Sequence, residues 1–85
     1  MPHIIVKWYP GRSDAQKEEL AQAITRDVAA IAGCAESAIS IALEEVAPEA
    51  WAETVYRPDI LDKEETLIRK PGYNPFDKTY KGDSV

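Results

Sequence analysis

One residue at the start of the chain could supply an unusual base. Pro2 follows Met1, and methionine is normally trimmed from a nascent chain when the second residue is small. Trimming leaves the proline ring nitrogen as a free secondary amine. An α-amino group titrates at about 7.7–8.0, and an apolar pocket or a neighbouring cation lowers that pKa toward neutrality. Such a nitrogen suits general base catalysis. A proline at position 2 is common, however, and alone it indicates only methionine processing.

The other chemistry-bearing residues show no spacing typical of a metal, phosphate or nucleophile site. Cys34 and His3 are the single cysteine and histidine, so no intrachain disulfide can form and a zinc site would need several carboxylates. His3 has no Ser, Cys or Asp at a suggestive spacing and is predicted to be a packing or surface residue. We expect no metal and no cofactor. The acidic pairs are typical of solvated faces: Glu18-Glu19, Glu44-Glu45 and Glu64-Glu65.

The charge pattern argues against nucleic acid as a partner, because the net charge is −5. Residues 13–65 hold thirteen of the fifteen acidic residues and four of the ten basic ones, so positive charge gathers at the two ends of the chain. If those ends meet, they form a local anion-attracting surface; ordinary solvated lysines are the alternative. No segment has the roughly 20 apolar residues of a membrane span, and no signal peptide is visible. We therefore expect a cytoplasmic protein without a membrane partner.

A strand and a long helix are predicted to hold the N-terminus in place. Residues 3–9 are β-branched and aromatic, which predicts a strand that begins almost at the first residue. Ser13 and Gln16 have the spacing of a capping box, an apolar stripe at helical spacing follows, and Gly33 is a typical residue just after a helix end. Together these signals predict a helix over residues 14–32.

A second strand completes the predicted α/β (α+β) fold. Residues 38–46 alternate apolar and small side chains, and strand, helix and strand together form a βαβ unit with parallel strands. Pro48 opens a short second helix, and Arg57-Pro58 is predicted to end it, because the residue before a proline avoids helical geometry. Leu67-Ile68 forms a short strand or packs a loop. Residues 1–73 are thus one domain and 74–85 a tail, surface-packed or partly mobile.

So small a unit is expected to self-associate. A chain of 85 residues buries only roughly 60–65% of its unfolded surface, which leaves its stability marginal. Two strands and one helix also leave both sheet edges and one sheet face uncovered. Pairing of subunits into a larger sheet would remedy both.

Several motifs together resemble the 4-oxalocrotonate tautomerase family. The match runs without gaps from Pro2 through residues 11–18 (GRSDAQKE) and 38–45 (AISIALEE) to Trp51. The continuation to residues 67–73 (LIRKPGY) resembles the longer, phenylpyruvate tautomerase-like branch. The resemblance implies a βαβ subunit whose N-terminal proline shuttles a proton between oxygen and carbon of a 2-hydroxydienoate or enolpyruvate.

Four residues take site roles from this resemblance. Pro2 matches the base, and Arg12 falls on the arginine that contacts the substrate carboxylate in related enzymes, for which a guanidinium fork is suited. Trp51 falls on the aromatic residue that walls the pocket. Ser40 stands where the archetype carries a second arginine that stabilises the developing oxyanion; a hydroxyl donates a hydrogen bond but carries no charge. The alternatives are structural roles: Arg12 would be an ordinary loop residue, and Trp51 would anchor the short helix in the core.

Ser40 moves the expected substrate away from the archetype's dienoate and toward a small anionic 2-oxo or 2-hydroxy acid. Arg57, Arg69 or Lys70 could restore the missing charge, and the sequence does not choose among them. The longer branch includes dimers whose C-terminal segment blocks further assembly. We therefore favour a dimer over the archetype's hexamer, which stays possible.

Two other functions stay open. The same family supports hydratase and dehalogenase chemistry on unsaturated acids, in which a protonated Pro2 donates to carbon while a carboxylate activates water; no carboxylate here obviously matches. If Met1 is retained, the Pro2 nitrogen is an amide without a basic lone pair. The chain would then be a non-catalytic oligomeric binding module.

Overall fold

The computed structural model describes residues 1–77 of the chain. The chain divides into two compact units, with the boundary between Glu45 and Val46. The first unit contains strand β1 (His3–Trp8), helix α1 (Asp14–Ala32), a 3-10 turn (Glu36–Ala38) and strand β2 (Ser40–Glu45). This is the small α+β fold with the βαβ order that the sequence predicts.

The two strands are parallel, as expected for a βαβ unit. Residue 3 faces residue 40, and each following pair advances by one, ending with Trp8 opposite Glu45. Side chains alternate between the two faces of a strand. The register therefore fixes which residues of β1 and β2 share a face.

Local hydrogen bonds determine where α1 begins and ends. The Ser13 hydroxyl accepts from the backbone N–H of Gln16 at 3.1 Å, and the Gln16 side chain accepts from the Ser13 N–H at 2.8 Å. Both bonds of the predicted capping box are present. At the other end, Gly33 adopts φ 72°, a left-handed conformation, and its N–H donates to Ala29.

Helix α1 covers one face of the two-stranded sheet. Lys17 of α1 forms an ion pair with Glu45 at 3.0 Å, on the face that Ile41 and Leu43 share. The opposite face of the first unit is open at Ile5, which is 50% exposed. The sheet is therefore apolar on its helix side and partly apolar on its open side.

The second strand is shorter than predicted. The N–H groups of Ala38 and Ile39 donate to Ala35 and Glu36, at 3.0 Å each, within a 3-10 turn. Because these backbone groups are already paired, the ladder begins only at Ser40. The strand ends at Glu45, so including residues 38, 39 and 46 in it was wrong.

The second unit contains a 3-10 turn (Pro48–Ala50), a π-helix (Ala52–Leu61) and another 3-10 turn (Glu64–Thr66). Pro58 lies inside the π-helix, so the prediction that Arg57-Pro58 ends this element was wrong. In a π-helix each N–H reaches five residues back, as in the 2.9 Å bond from Asp62 to Arg57. An α-helix, in which each bond reaches four residues back, is the geometry that a proline ring disrupts.

The end of the described chain is a loop. Leu67 is half-buried and the neighbouring Ile68 is fully exposed, which matches the loop alternative for this pair rather than the strand. The Asp77 N–H donates to the Asn74 carbonyl at 3.0 Å, so the start of the predicted tail forms a turn. Residues 78–85 of that tail lie outside the described residues.

Within residues 1–77, no helix combines the length and apolar character that a bilayer span requires. Over the same residues, the buried side chains are Val55 and Tyr56 of the π-helix, each 5% exposed.

Candidate active site

Pro2 is anchored through its carbonyl group. It lies immediately before β1, is half-buried, and accepts a hydrogen bond of 3.1 Å from the Ser40 N–H. The side chain of Met1 is fully exposed, at 102%. The chain start is thus held by the sheet, as the sequence predicts, while Met1 adds no packing to it.

Ser40 lies beside Pro2 and contacts His3. Its hydroxyl oxygen is 2.6 Å from Nδ1 of His3, a direct hydrogen bond between opposite positions of the two strands. Sequence reasoning missed this pair, since the two residues lie 37 positions apart. His3 does have a serine partner, but no signal in the sequence fixes the strand register that brings the two residues together.

Arg12 lies in the loop between β1 and α1. Gly11, at φ 127°, adopts a conformation that favours glycine and turns the chain just before it. The Arg12 guanidinium donates to the Tyr9 carbonyl at 3.3 Å and lies 5.1 Å from the centre of the Trp8 ring. These contacts orient the guanidinium and also stabilise the loop, so the two roles considered for Arg12 are compatible. A guanidinium has five N–H donors, and one contact to a carbonyl is consistent with carboxylate binding.

Trp51 belongs to the second unit, whereas Pro2, Arg12 and Ser40 belong to the first. Its indole N–H donates to the Tyr73 hydroxyl at 2.8 Å, and the Tyr56 hydroxyl donates to the Tyr73 carbonyl at 3.1 Å. The rings of Tyr56 and Tyr73 have centroids 5.3 Å apart. These contacts fix the indole plane, which suits both an anchoring role and a pocket wall.

Two of the three candidates for a second cation have carboxylate partners in their own unit. Arg57 donates to both carboxylate oxygens of Glu53, at 3.0 and 3.3 Å. This side-chain hydrogen bond lowers the pKa of Glu53 and raises the pKa of Arg57. Lys70 pairs with Glu64 at 3.4 Å. Arg69 is exposed.

Over the described part of the chain, no group of three or more His, Cys, Asp or Glu side chains has the arrangement of a metal site. Cys34 is a free, half-buried thiol just after α1.

Solved structures identify the fold. The chain is similar to YwhB, a homologue of 4-oxalocrotonate tautomerase, with a TM-score of 0.58 and 31% identity over 64% of this chain and 88% of that one. It is also similar to TomN, a 4-oxalocrotonate tautomerase homologue in the tomaymycin biosynthetic pathway. That match has a TM-score of 0.57 and 32% identity over 59% of this chain and 77% of the other. The βαβ unit is therefore a tautomerase fold.

Sequence relatives identify the family. Tautomerase PptA from Cronobacter sakazakii is 45% identical over 74 residues, which cover 86% of this chain and 97% of the relative. Tautomerase PptA from Escherichia coli strain SMS-3-5 is 41% identical over 75 residues, 87% of this chain and 99% of the relative. A family model described as "Tautomerase enzyme" matches residues 2–55. The chain belongs to the tautomerase family and is an isomerase of that type, as its motifs predict.

Proposed function

We propose that this protein is a cofactor-free keto–enol tautomerase of a small 2-oxo or 2-hydroxy acid, with Pro2 as its general base after removal of Met1. The observation that carries the proposal is the anchoring of Pro2 at the head of β1 by the 3.1 Å bond from Ser40. A base must be held in place to act on one substrate atom. Membership of the tautomerase family supports the reaction class.

The reaction needs one proton to move between two atoms of the substrate. The unprotonated ring nitrogen of Pro2 takes the proton from the 2-hydroxyl of the enol, and the resulting ammonium returns it to C3, which yields the 2-oxo acid. The reverse direction uses the same two steps. The nitrogen ends each cycle unprotonated, so no cofactor is consumed.

The remaining site residues would bind and polarise the substrate. The Arg12 guanidinium suits the carboxylate, because its donors form a planar fork. Within one chain Arg12 follows the opposite end of β1 from Pro2, about 20 Å away along a six-residue strand, so it would serve the site of a neighbouring subunit. The Ser40 hydroxyl donates to the 2-oxygen, on which negative charge develops. The resemblance assigns Trp51 the role of an aromatic pocket wall, and such a wall keeps water away from the reacting atoms.

Ser40, which carries no charge, supports a substrate with one carboxylate. Of the three candidates for a second cation, Arg57 and Lys70 are already paired with Glu53 and Glu64, and the exposed Arg69 remains. With Ser40 in place of a second arginine, Arg12 is the cation assigned to the substrate. An enolpyruvate carries one carboxylate and fits this arrangement better than a dicarboxylate.

Self-association is part of the proposal, with the dimer favoured over the hexamer. The open sheet face at Ile5, and a buried core of two residues among the 77 described, support an assembly that covers more apolar surface. The resemblance to the longer branch of the family, which includes dimers, favours the smaller assembly. We further propose that the protein acts in the cytoplasm and that its partner is a small anionic acid, the substrate.

The test is an enol-decay assay on protein whose mass shows that Met1 is absent. Ketonisation of phenylenolpyruvate should be faster than in buffer, and Pro2→Ala should lower the rate at least about 100-fold, because the secondary amine of the ring is lost. A second variant is the same chain with one extra residue before Pro2, which keeps the proline ring and turns its nitrogen into an amide. Equal rates for these proteins would remove Pro2 from the mechanism. Halide release from a 3-haloacrylate without enol decay would favour the dehalogenase instead.

A further inference from the structure

We propose that His3 is a positioning residue, which donates a hydrogen bond from Nδ1 to the Ser40 hydroxyl oxygen and so directs the serine proton toward the substrate. This inference rests on the proposed function, in which Ser40 stabilises the 2-oxygen. It adds a residue to that site and states what the residue does there.

The geometry carries the inference. The distance of 2.6 Å between Nδ1 and the serine oxygen leaves room for one proton and no intervening water. His3 and Ser40 are opposite each other in the ladder, and both are exposed, so a ligand can reach the pair. Ser40 also binds the Pro2 carbonyl through its own N–H, so the backbones of the pair and of the proposed base are adjacent.

Only one of the two protons available to this pair can lie between the two atoms. If the serine donates to an unprotonated Nδ1, its hydroxyl proton is occupied and only lone pairs face the substrate. If Nδ1 carries the proton, the serine oxygen accepts and its own O–H stays available as a donor. Stabilisation of a developing oxyanion requires a donor. The second arrangement is therefore the one that supports the reaction.

A double-mutant cycle measures whether His3 acts through Ser40. Ser40→Ala should lower kcat about 100-fold, the usual cost of losing one oxyanion donor. His3→Ala should lower it about 10-fold, because the hydroxyl remains but is no longer directed. In the Ser40→Ala background, His3→Ala should have almost no further effect. Full additivity of the two losses in an otherwise active enzyme would overturn the inference.

Conservative variants separate a directed hydroxyl from simple packing. Asparagine can place an N–H close to where Nδ1 lies, so His3→Asn should recover most of the kcat lost in His3→Ala. An aspartate side chain can only accept a hydrogen bond, so in His3→Asp it should hold the serine proton and give a kcat near that of Ser40→Ala. Aspartate also adds a negative charge. Comparing kcat for His3→Asp and His3→Ala, both in the Ser40→Ala background, measures the effect of that charge alone. Equal kcat for His3→Asn and His3→Asp would contradict the proposed direction of the bond.

A third measurement needs no turnover. His3 is the only histidine in the sequence, so untagged protein labelled with ¹⁵N gives a single pair of imidazole signals. We expect Nδ1 to carry a proton and its signal to shift in Ser40→Ala. Ser37→Ala removes an exposed hydroxyl from the nearby turn and should leave the signal in place.

An unprotonated Nδ1 would overturn the inference even if the enzyme is active. Processed wild-type protein without activity would overturn the proposed function, and this role for His3 with it. The two failures are therefore distinguishable.

Discussion

At the scale of single residues, the guanidinium of Arg12 is oriented by the chain itself. It contacts the Tyr9 carbonyl and the Trp8 ring, both on the segment that leads into its own loop. Such contacts reduce the number of conformations that the side chain loses when a ligand binds. A carboxylate that approaches this loop would meet a cation whose plane is already set.

Arg12→Lys is expected to raise KM about 10-fold for a 2-oxo acid while changing kcat little. Lysine keeps the charge but loses the fork and the planar contact with the Trp8 ring. Steady-state kinetics on phenylenolpyruvate measures the split. Arg26→Lys is the matched control, because Arg26 is exposed on α1 and pairs with the adjacent Asp27. Equal KM values for the two variants would contradict a substrate role for Arg12.

Residue-level prediction succeeded where the partners are neighbours in the chain and failed where they are not. Ser13 and Gln16 are three positions apart, so their mutual bonds can be predicted from residue type and spacing alone. The contact between His3 and Ser40 depends on the register of two distant strands. No local pattern encodes that register, and the pair therefore emerged only from the fold.

At the scale of elements, α1 ends because Gly33 can adopt a conformation that other residues avoid. Its φ is 72°, and an added Cβ would meet no atom within 4 Å. A substitution there would cost conformational energy without a steric clash from neighbouring groups. The site thus isolates one contribution to the free energy of unfolding.

Gly33→Ala is expected to lower the free energy of unfolding by about 1 kcal/mol, the usual cost of a left-handed conformation with a Cβ. Urea denaturation measures it. Gly72→Ala is the matched control, since Gly72 has equally open space and no positive φ. That variant should change stability by less than about 0.5 kcal/mol. If both variants lose the same stability, the conformation of Gly33 is not the cause.

The second helical element shows the limit of local rules. Pro58 predicts a helix end because the residue before a proline avoids helical geometry, yet the π-helix continues to Leu61. The Glu53–Arg57 ion pair joins residues on either side of the turn that precedes the proline. The expectation for the residue before a proline holds for an α-helix, whose hydrogen bonds reach four residues back. It fails here in a π-helix, whose hydrogen bonds reach five residues back. The sequence alone gives no sign of that change.

At the scale of the whole molecule, the chain is a tautomerase in which few of the described side chains are buried. Two side chains among the 77 described residues are buried, and the sheet has two strands. The parallel βαβ unit was predictable because each of its elements has a strong periodic pattern. The few buried side chains agree with the expectation that so short a chain completes its core elsewhere.

The urea midpoint of unfolding should therefore rise with protein concentration. For a subunit whose folding is coupled to association, a 100-fold increase in concentration stabilises the folded form by about 2.7 kcal/mol per dimer. Equilibrium unfolding in urea, followed by fluorescence at about 1 µM and about 100 µM protein, checks this expectation. Light scattering at both concentrations gives the mass of the assembly. A midpoint independent of concentration, together with the mass of a single chain, would contradict self-association.

Removal of Met1 should not disturb the fold. Met1 is exposed, and Pro2 is bonded to the sheet through its carbonyl group rather than its nitrogen. The nitrogen of Pro2 has no N–H to contribute to the sheet before cleavage, and the carbonyl that binds Ser40 is untouched by it. Removing Met1 therefore breaks no hydrogen bond of the strand ladder and uncovers no core. In the proposed mechanism the chain is a proenzyme with a pro-segment of one residue. Its activation changes a single functional group, from amide to amine, and leaves the strand ladder as it is.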